Sequence, residues 1–105
     1  MKRQKCYWVY IIASLSGTLY TGLTDDLKKR LREHRLGLAD GFTKRYKVHR
    51  LMYYELFSND ETAAAREKQI KKFRREKKIA LFSKSNPHWE DLTAKVSPSW
   101  KDILM

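Results

Sequence analysis

Two short runs of β-branched and aromatic residues near the start of the chain predict a β-hairpin. The runs 7–13 and 18–23 are separated by a four-residue loop, 14–17, that ends in Gly17. A glycine-containing loop of this length between two such runs is typical of antiparallel strands. A third run of the same chemistry, 51–57, predicts a third strand.

Helical periodicity follows the predicted hairpin. Leu27 and Leu31 recur at the spacing of one buried helix face. Thr24 or Asp25 can cap this helix at its start, and Gly37 marks its end. The polar, basic segment 37–47 that follows is expected to be a loop.

A second helix is predicted after the third strand. Ser58 and Glu61 have the spacing of a capping box, and the helical pattern continues to about Lys77. Its predicted buried side consists of Ala63, Ile70 and Phe73.

The last third of the chain predicts short helical pieces. Residues 79–82 are expected to form a short helix. The segments 86–92 and 97–103 each combine a capping residue, a proline and a tryptophan, and each is expected to begin a helical turn anchored by Trp89 or Trp100. The expected fold class is α/β (α+β): a small three-stranded antiparallel sheet flanked by helices, in the order β-β-α-β-α-α.

Composition limits the class of protein. A chain of 105 residues with 42% hydrophobic and 33% charged residues supports one domain with one core. We expect a single domain over 1–105, with a motif-bearing core over about 7–92 and a helical tail over 93–105. The single cysteine, Cys6, excludes an internal disulfide and a multi-cysteine zinc site.

The sequence also bears on location. No apolar run is long enough to span a membrane, and no membrane partner is expected. The basic start followed by an apolar run imitates a signal peptide, but a turn follows it rather than a small-residue cleavage site. A cytoplasmic location is therefore expected.

The net charge of +11 is concentrated in three basic blocks. Residues 28–35 and 44–50 each carry +4, and residues 66–78 carry eight basic against two acidic side chains. Such blocks in a small domain favour nucleic acid as the partner, whereas one such helix face alone is usually solvated surface. The residues expected to contact nucleic acid are Lys28, Lys29, Arg32, Lys44, Arg45, Lys71, Lys72 and Arg75.

Four residues could carry chemistry together. Tyr10 and Tyr20 lie on the two hairpin strands, Arg30 on the first helix and Glu67 on the second. Phosphodiester hydrolysis needs an activated water, a cation for the developing charge and usually a metal held by carboxylate. Each residue also has an ordinary interpretation: packing for the tyrosines, a solvated charge for Arg30, and a pair with Lys71 for Glu67. Physical chemistry alone therefore predicts a basic domain that binds nucleic acid, with a candidate hydrolytic site.

Motif order adds a resemblance. Residues 8–10, Trp-Val-Tyr, followed ten residues later by 20–22, Tyr-Thr-Gly, resemble the paired motif of the GIY-YIG nuclease superfamily. The segments 27–34 and 66–72 resemble the helices that supply its arginine and its metal-binding glutamate. The segment 86–92 resembles the end of its small single-domain bacterial branch, which is related to the N-terminal domain of the excision-repair incision subunit.

The resemblance implies metal-dependent endonuclease cleavage of DNA, in repair or recombination. Glu67 would hold one Mg²⁺ or Mn²⁺ ion, bound weakly without DNA, and Arg30 would steady the phosphate. A tyrosine phenolate or tyrosine network would deprotonate the attacking water, with Tyr20 slightly favoured over Tyr10. Only about one phenol in a thousand is ionised at pH 7, so Arg30 and the metal would have to favour the phenolate.

The sequence departs from the family pattern in places. Leu23 stands where excision-repair relatives have a lysine that is thought to assist. His34, one turn after Arg30, is the nearest substitute, with packing on a helix face as its alternative role. Asn86 fits either the late asparagine of the family or a helix cap.

Two other functions stay open from sequence. A non-catalytic nucleic-acid-binding module would keep the fold and the basic surface, and Leu23 favours it. A protein-interaction domain would use Trp89 and Trp100, although these residues are explained more simply as anchors of the terminal turns. The sequence does not distinguish DNA from RNA or fix the structure of the substrate.

Overall fold

The hairpin and the third strand form one antiparallel sheet in the computed structural model, which describes residues 5–96. The strands are β1, Tyr7–Ala13, β2, Leu19–Thr24, and β3, Arg50–Phe57. Their order is β2-β1-β3, so β1 is central and β2 lies at an edge. The predicted three-stranded antiparallel sheet is confirmed.

Helices pack on both faces of this sheet, which confirms the α+β class. They are α1, Leu27–Arg35; α2, Gly41–Tyr46; α3, Asp60–Lys71; α4, Arg75–Ser83; and α5, Thr93–Val96. The order is β-β-α-α-β-α-α-α, which adds α2 and α5 to the predicted order.

The expectation of a loop over 37–47 is wrong in its second half. Asp40 caps α2 by accepting a hydrogen bond from the Phe42 backbone N–H at 2.7 Å. The helix ends at Lys47, which adopts the left-handed conformation with φ of 54°. At six residues α2 is too short to show a helical period in the sequence, and the capping aspartate was its main signal.

Two predicted helix starts are corrected by one residue each. The α1 cap is Asp26, whose carboxylate accepts from the Lys29 N–H at 3.2 Å, while Thr24 instead accepts from the Asp26 N–H. The α3 cap is Asn59, which accepts from the Thr62 N–H at 3.0 Å, so the proposed Ser58 capping box is wrong.

The predicted continuation of α3 to Lys77 is also wrong. The helix ends at Lys71, and Arg74 adopts an extended backbone before α4 begins. Ala63 and Ile70 are buried in α3 as predicted, whereas Phe73 lies beyond the helix and packs against the core from the connection. The short helix expected over 79–82 is the second half of α4.

Residues 86–89 form a turn rather than the expected helix start. Asn86 is buried, and its side chain donates to the carbonyls of Met52 and Glu90 and accepts from the Glu90 N–H. Its helix-cap interpretation is therefore wrong. The Trp89 ring packs edge-on against Phe82 with centroids 5.0 Å apart, as an anchor should. The second copy, 97–103 with Trp100, lies outside the described residues.

Alternation along β1 divides the core between the two faces of the sheet. Val9, Ile11 and Ala13 face α3 and α4, whereas Tyr10 and Ile12 face α1. Successive side chains of a strand point to opposite faces. This alternation places the Tyr10 side chain beneath α1, where the candidate site lies.

No helix among residues 5–96 has the length and apolar character that a membrane crossing requires.

Candidate active site

The Tyr10 ring lies directly over Gly22. The two residues are paired across the hairpin, and a Cβ on Gly22 would meet the Tyr10 Cζ and Oη atoms at 2.4 Å. Only glycine therefore leaves room for the ring in this position. The glycine of the Tyr-Thr-Gly motif has a steric role that depends on Tyr10.

The Tyr10 hydroxyl is hydrogen-bonded to a buried histidine. His34 lies on the same face of α1 as Leu27 and Leu31, and only 3% of its surface is exposed. Its Nε2 atom lies 2.8 Å from Tyr10 Oη, and its Nδ1 atom lies 3.0 Å from Thr43 Oγ1. His34 is thus a core residue and a partner of Tyr10 at once, so its packing alternative and its site assignment are both compatible with the structure.

Tyr20 lies beside this pair at the edge of the sheet. Its ring is 5.4 Å from the His34 ring and 6.3 Å from the Phe42 ring, measured between centroids. Phe42 is in turn 4.9 Å from Tyr46, and both of these α2 rings are more than two-fifths exposed. An exposed aromatic surface therefore adjoins Tyr20.

Arg30 and Glu67 bring opposite charges to the two tyrosines. Both side chains are partly exposed, and each has one ion-pair partner close in sequence: Arg30 lies 3.6 Å from Glu33, and Glu67 lies 3.2 Å from Lys71. Arg30 lowers the pKa of Tyr10 and of Tyr20, and Glu67 raises both. The helix that carries Glu67, α3, packs against β2 and β1. The charges of Arg30 and Glu67 therefore both act on the two tyrosines.

Burial controls the protonation of the site. Burial, followed by the Tyr20 charge, raises the pKa of Tyr10 far above its ordinary value despite the opposing effect of Arg30. Burial and then Asp40 raise the pKa of Tyr20. Arg30 lowers the pKa of both tyrosines, as expected of a nearby cation, but in the protein without a metal ion desolvation outweighs this one partly exposed charge.

Burial also controls the protonation of His34. Burial, followed by the Arg30 charge, lowers the pKa of His34 to about 4. Near neutral pH the imidazole is uncharged, and one of its two ring nitrogens has a free lone pair. Tyr10 and His34 are therefore two neutral groups in a short hydrogen bond.

The eight basic residues predicted to contact nucleic acid are all exposed. Three of them have described protein partners: Lys71 pairs with Glu67, Arg75 donates to the Gly17 carbonyl at 2.6 Å, and the Arg45 guanidinium lies 5.6 Å from the centroid of the Tyr46 ring. Leu23 packs against the core between the sheet and α3, so it supplies no cation. The remaining five basic residues predicted to contact nucleic acid are Lys28, Lys29 and Arg32 on α1, Lys44 on α2, and Lys72 directly after α3.

Glu67 and Asp40 are the two carboxylates whose charges act on both tyrosines, and Glu67 is the one that the family resemblance assigns to a metal ion. Within residues 5–96 no three His, Cys, Asp or Glu side chains are grouped to hold a metal. This donor set does not suit zinc, which takes three or four protein ligands. It does fit Mg²⁺, which commonly keeps several waters and binds through one or two carboxylates and substrate phosphate.

Sequence reasoning missed two residues at the site. Asp40 raises the pKa of both tyrosines, and Thr43 is 1% exposed and hydrogen-bonded to His34. Both belong to the segment expected to be a loop. One sequence signal for α2 was available: Asp40 is a residue type that caps helices, and it lies shortly before the apolar Phe42 and three residues before Thr43.

Comparison with known families identifies this arrangement. The family model described as the GIY-YIG catalytic domain matches residues 6–80. The chain belongs to the GIY-YIG family. Domains of this family have a nuclease-type fold, act on nucleic acid and typically use divalent metals. The resemblance of the two tyrosine motifs is thereby confirmed.

Relatives and a solved structure agree with this assignment. The chain is 37% identical to a UPF0213 protein of Staphylococcus saprophyticus over 77 residues, which are 73% of this chain and 94% of the relative. A UPF0213 protein of Streptococcus pyogenes serotype M3 is 40% identical over 84 residues, 79% of this chain and 90% of the relative. The solution NMR structure of a UPF0213 protein of Bacillus halodurans is 30% identical, with a TM-score of 0.54 over 85% of this chain and 95% of that chain. These names specify no activity.

Proposed function

We propose that the protein is a metal-dependent endonuclease that hydrolyses DNA phosphodiester bonds. The observation that carries this proposal is the match to the GIY-YIG catalytic domain over residues 6–80, and the charges of Arg30 and Glu67 that act on Tyr10 and Tyr20 support it. A module that only binds a polyanion has no use for a carboxylate beside its phosphate site. We further propose that it acts in the cytoplasm, in repair or recombination.

Tyr10 and His34 supply the proton transfer in this proposal. A proton leaves the attacking water for Tyr10 Oη while the Tyr10 proton passes to His34 Nε2. The water oxygen forms the new bond to phosphorus as the bond between phosphorus and the ester oxygen breaks. The ester oxygen takes a proton from solvent water, and His34, transiently an imidazolium, returns its proton to solvent. This route needs no free phenolate, which burial disfavours. Tyr20 borders the site and orients the water and phosphate.

Arg30 and Glu67 act on charge. The partly exposed Arg30 guanidinium is suited to bind a phosphate oxygen as negative charge develops on it. Glu67 would hold one Mg²⁺ or Mn²⁺ ion, which supplies Lewis-acid polarisation of the phosphate when bound. Lys71 must then move from the Glu67 carboxylate, and its exposed chain permits that.

The test is a nicking assay on plasmid, single-stranded and branched DNA with Mg²⁺ or Mn²⁺. Glu67→Gln should abolish cleavage. DNA affinity should be unchanged or slightly higher, because the substitution removes a negative charge that repels the DNA phosphates. Glu61→Gln, an exposed carboxylate on the same helix, is the matched control and should cut normally.

A second pair of variants separates chemistry from binding. Arg30→Ala should lower kcat by roughly 10²–10³-fold, as for loss of one donor to developing charge. Arg32→Ala, exposed on the same helix, should weaken binding but leave kcat unchanged. Wild type that cuts no DNA form, or Glu67→Gln that cuts equally well, would refute the nuclease.

The alternative is a nucleic-acid-binding module without turnover. Leu23, packed in the core in place of an assisting lysine, is the observation that favours it. DNA binding with a steep salt dependence, about 0.9 in log–log slope per phosphate neutralised, would then persist without any cleavage.

A further inference from the structure

Three hydrogen bonds form a continuous chain from the site into α2. Tyr10 Oη lies 2.8 Å from His34 Nε2, His34 Nδ1 lies 3.0 Å from Thr43 Oγ1, and Thr43 Oγ1 lies 3.0 Å from the Asp40 carbonyl oxygen. Tyr10, His34 and Thr43 are all nearly fully buried. Water therefore offers these groups little alternative pairing.

The last bond of the chain fixes the direction of the others. A carbonyl oxygen carries no proton, so the Thr43 hydroxyl must donate to Asp40. A hydroxyl has one proton, so toward His34 the same oxygen can only accept. His34 Nδ1 is then the protonated nitrogen, and Nε2 is left as an acceptor for the Tyr10 hydroxyl.

The opposite tautomer does not satisfy the same geometry. If Thr43 donated to His34 Nδ1, two acceptor oxygens, Thr43 Oγ1 and the Asp40 carbonyl, would face each other at 3.0 Å. His34 Nε2–H would then point at Tyr10, whose own proton would lose this acceptor. Such unpaired buried polar groups are costly, so one direction is strongly selected.

We infer that Thr43 is a positioning residue that holds His34 in its Nδ1–H tautomer and so reserves His34 Nε2 for the Tyr10 proton. Thr43 touches no substrate and acts through His34 alone. The catalytic consequence rests on the proposed function, whereas the tautomer itself does not. The short helix α2, capped by Asp40, thereby determines the direction of proton transfer at Tyr10.

The experiment measures the tautomer directly. Long-range ¹H–¹⁵N spectra of the full chain, labelled with ¹⁵N-histidine, distinguish the protonated from the unprotonated ring nitrogen. His34→Gln assigns the His34 signals among the three histidines. Wild type should show the Nδ1–H form near neutral pH, opposite to the Nε2–H form that neutral histidine prefers in water. An Nε2–H wild type overturns the inference.

Two threonine variants isolate the hydroxyl. Thr43→Ser keeps the hydroxyl and should keep the Nδ1–H form. Thr43→Val removes it and should move His34 toward Nε2–H. Thr21→Val is the matched control, since Thr21 is 3% exposed and its Oγ1 has no hydrogen-bond partner among the described residues. The Thr21→Val substitution should leave the His34 signals unchanged.

An unaltered His34 tautomer in folded Thr43→Val refutes the role of Thr43. If Thr43→Val does not fold, the tautomers of wild type and Thr43→Ser decide the question.

Cleavage kinetics supply the second readout. Thr43→Val should lower kcat by roughly 10- to 100-fold, the range for orienting partners of functional histidines, with KM unchanged and with Thr43→Ser restoring the rate. Unchanged kcat in Thr43→Val refutes the catalytic consequence. If wild type cuts no DNA, the proposed function fails while the tautomer assignment is still decided by the spectra.

Discussion

Replacing Gly22 with alanine tests how tightly the hairpin holds the Tyr10 ring. The new Cβ would lie 2.4 Å from the Tyr10 Cζ and Oη atoms and 2.9 Å from Cε1. Favourable contacts between such atoms require about 3.5 Å, so the ring must move by roughly 1 Å. The ring has little space, because Tyr10 is 2% exposed and bonded to His34 at 2.8 Å.

The magnitude follows from three effects. Overpacking of a filled core costs about 1–3 kcal/mol. Loss of the hydrogen bond to His34 adds about 0.5–1.5 kcal/mol. Alanine within a strand is more stabilising than glycine by about 0.5–1 kcal/mol, which offsets part of this loss. We therefore expect Gly22→Ala to lower the free energy of unfolding by about 0.5–4 kcal/mol, and by about 2 kcal/mol at the centre of these ranges.

Urea denaturation measures this change against a matched control. Gly41→Ala is that control, because a Cβ there meets no atom within 4 Å and the residue lies in a helix. It should be neutral or slightly stabilising. The ¹⁵N signals of the His34 ring report the loss of the hydrogen bond to Tyr10, since displacement of the Tyr10 ring removes the partner of His34 Nε2.

A double-mutant cycle identifies the cause. In a Tyr10→Leu background the ring atoms that the new Cβ would meet are gone, so the same glycine substitution should no longer destabilise. Gly22→Ala as stable as Gly41→Ala, with unchanged His34 signals, would refute the steric argument. A penalty that persists in the Tyr10→Leu background would show that it arises elsewhere.

Three further predictions concern stability and binding. Asp91→Ala should lower the free energy of unfolding by about 3 kcal/mol in urea titrations, because it removes the carboxylate that lies 2.8 Å from the Arg35 guanidinium and that accepts hydrogen bonds from Leu51 and Thr93. Burial raises the pKa of Asp91, but its hydrogen bonds lower that pKa by more, so the folded protein favours the ionised carboxylate. The stability that Asp91 contributes should therefore disappear as the pH falls through its folded pKa. A stability difference between wild type and Asp91→Ala that does not change with pH would contradict this prediction. For His34, whose pKa is about 4 when folded and about 6.5 when unfolded, stability should fall by up to about 3 kcal/mol as pH drops from 6.5 to 4, and His34→Gln should lack this slope. Phe42→Ala should weaken binding of single-stranded DNA by about 1–3 kcal/mol in anisotropy titrations, because a base can stack on the exposed Phe42 ring. Leu15→Ala, an exposed apolar residue in the hairpin loop, is the control, and equal affinities of the two variants would contradict the stacking.

The sequence predicts the sheet well because its strands have a distinctive local chemistry. Runs 7–13 and 51–57 are β-branched and aromatic, and their predicted bounds agree with β1 and β3 to within one residue. The sequence predicts the helix starts less accurately, because residue types that can cap a helix lie next to one another at both starts. Only the folded backbone shows that Asp26 caps α1 and Asn59 caps α3. The break after Lys71 has no local signal.

The candidate site likewise has residues that the sequence predicts and contacts that it does not predict. Tyr10, Tyr20, Arg30 and Glu67 were found because each belongs to a motif in a fixed order. The pairing of His34 with Thr43 could not be found, because it joins a long helix to a six-residue helix that has no detectable period. The effect of burial on the tyrosines likewise depends on packing across the sheet.

Burial and exposure assign different tasks to the site residues. The buried group, Gly22, Tyr10, His34 and Thr43, is held by sterics and hydrogen bonds and is uncharged near neutral pH. The exposed pair, Arg30 and Glu67, carries the charges. A buried phenol is a poor source of phenolate but a good carrier of a proton between two neutral partners, since no isolated charge forms on it. The same burial that prevents Tyr10 from ionising therefore makes its hydrogen bond to His34 the feature on which the proposed activity depends.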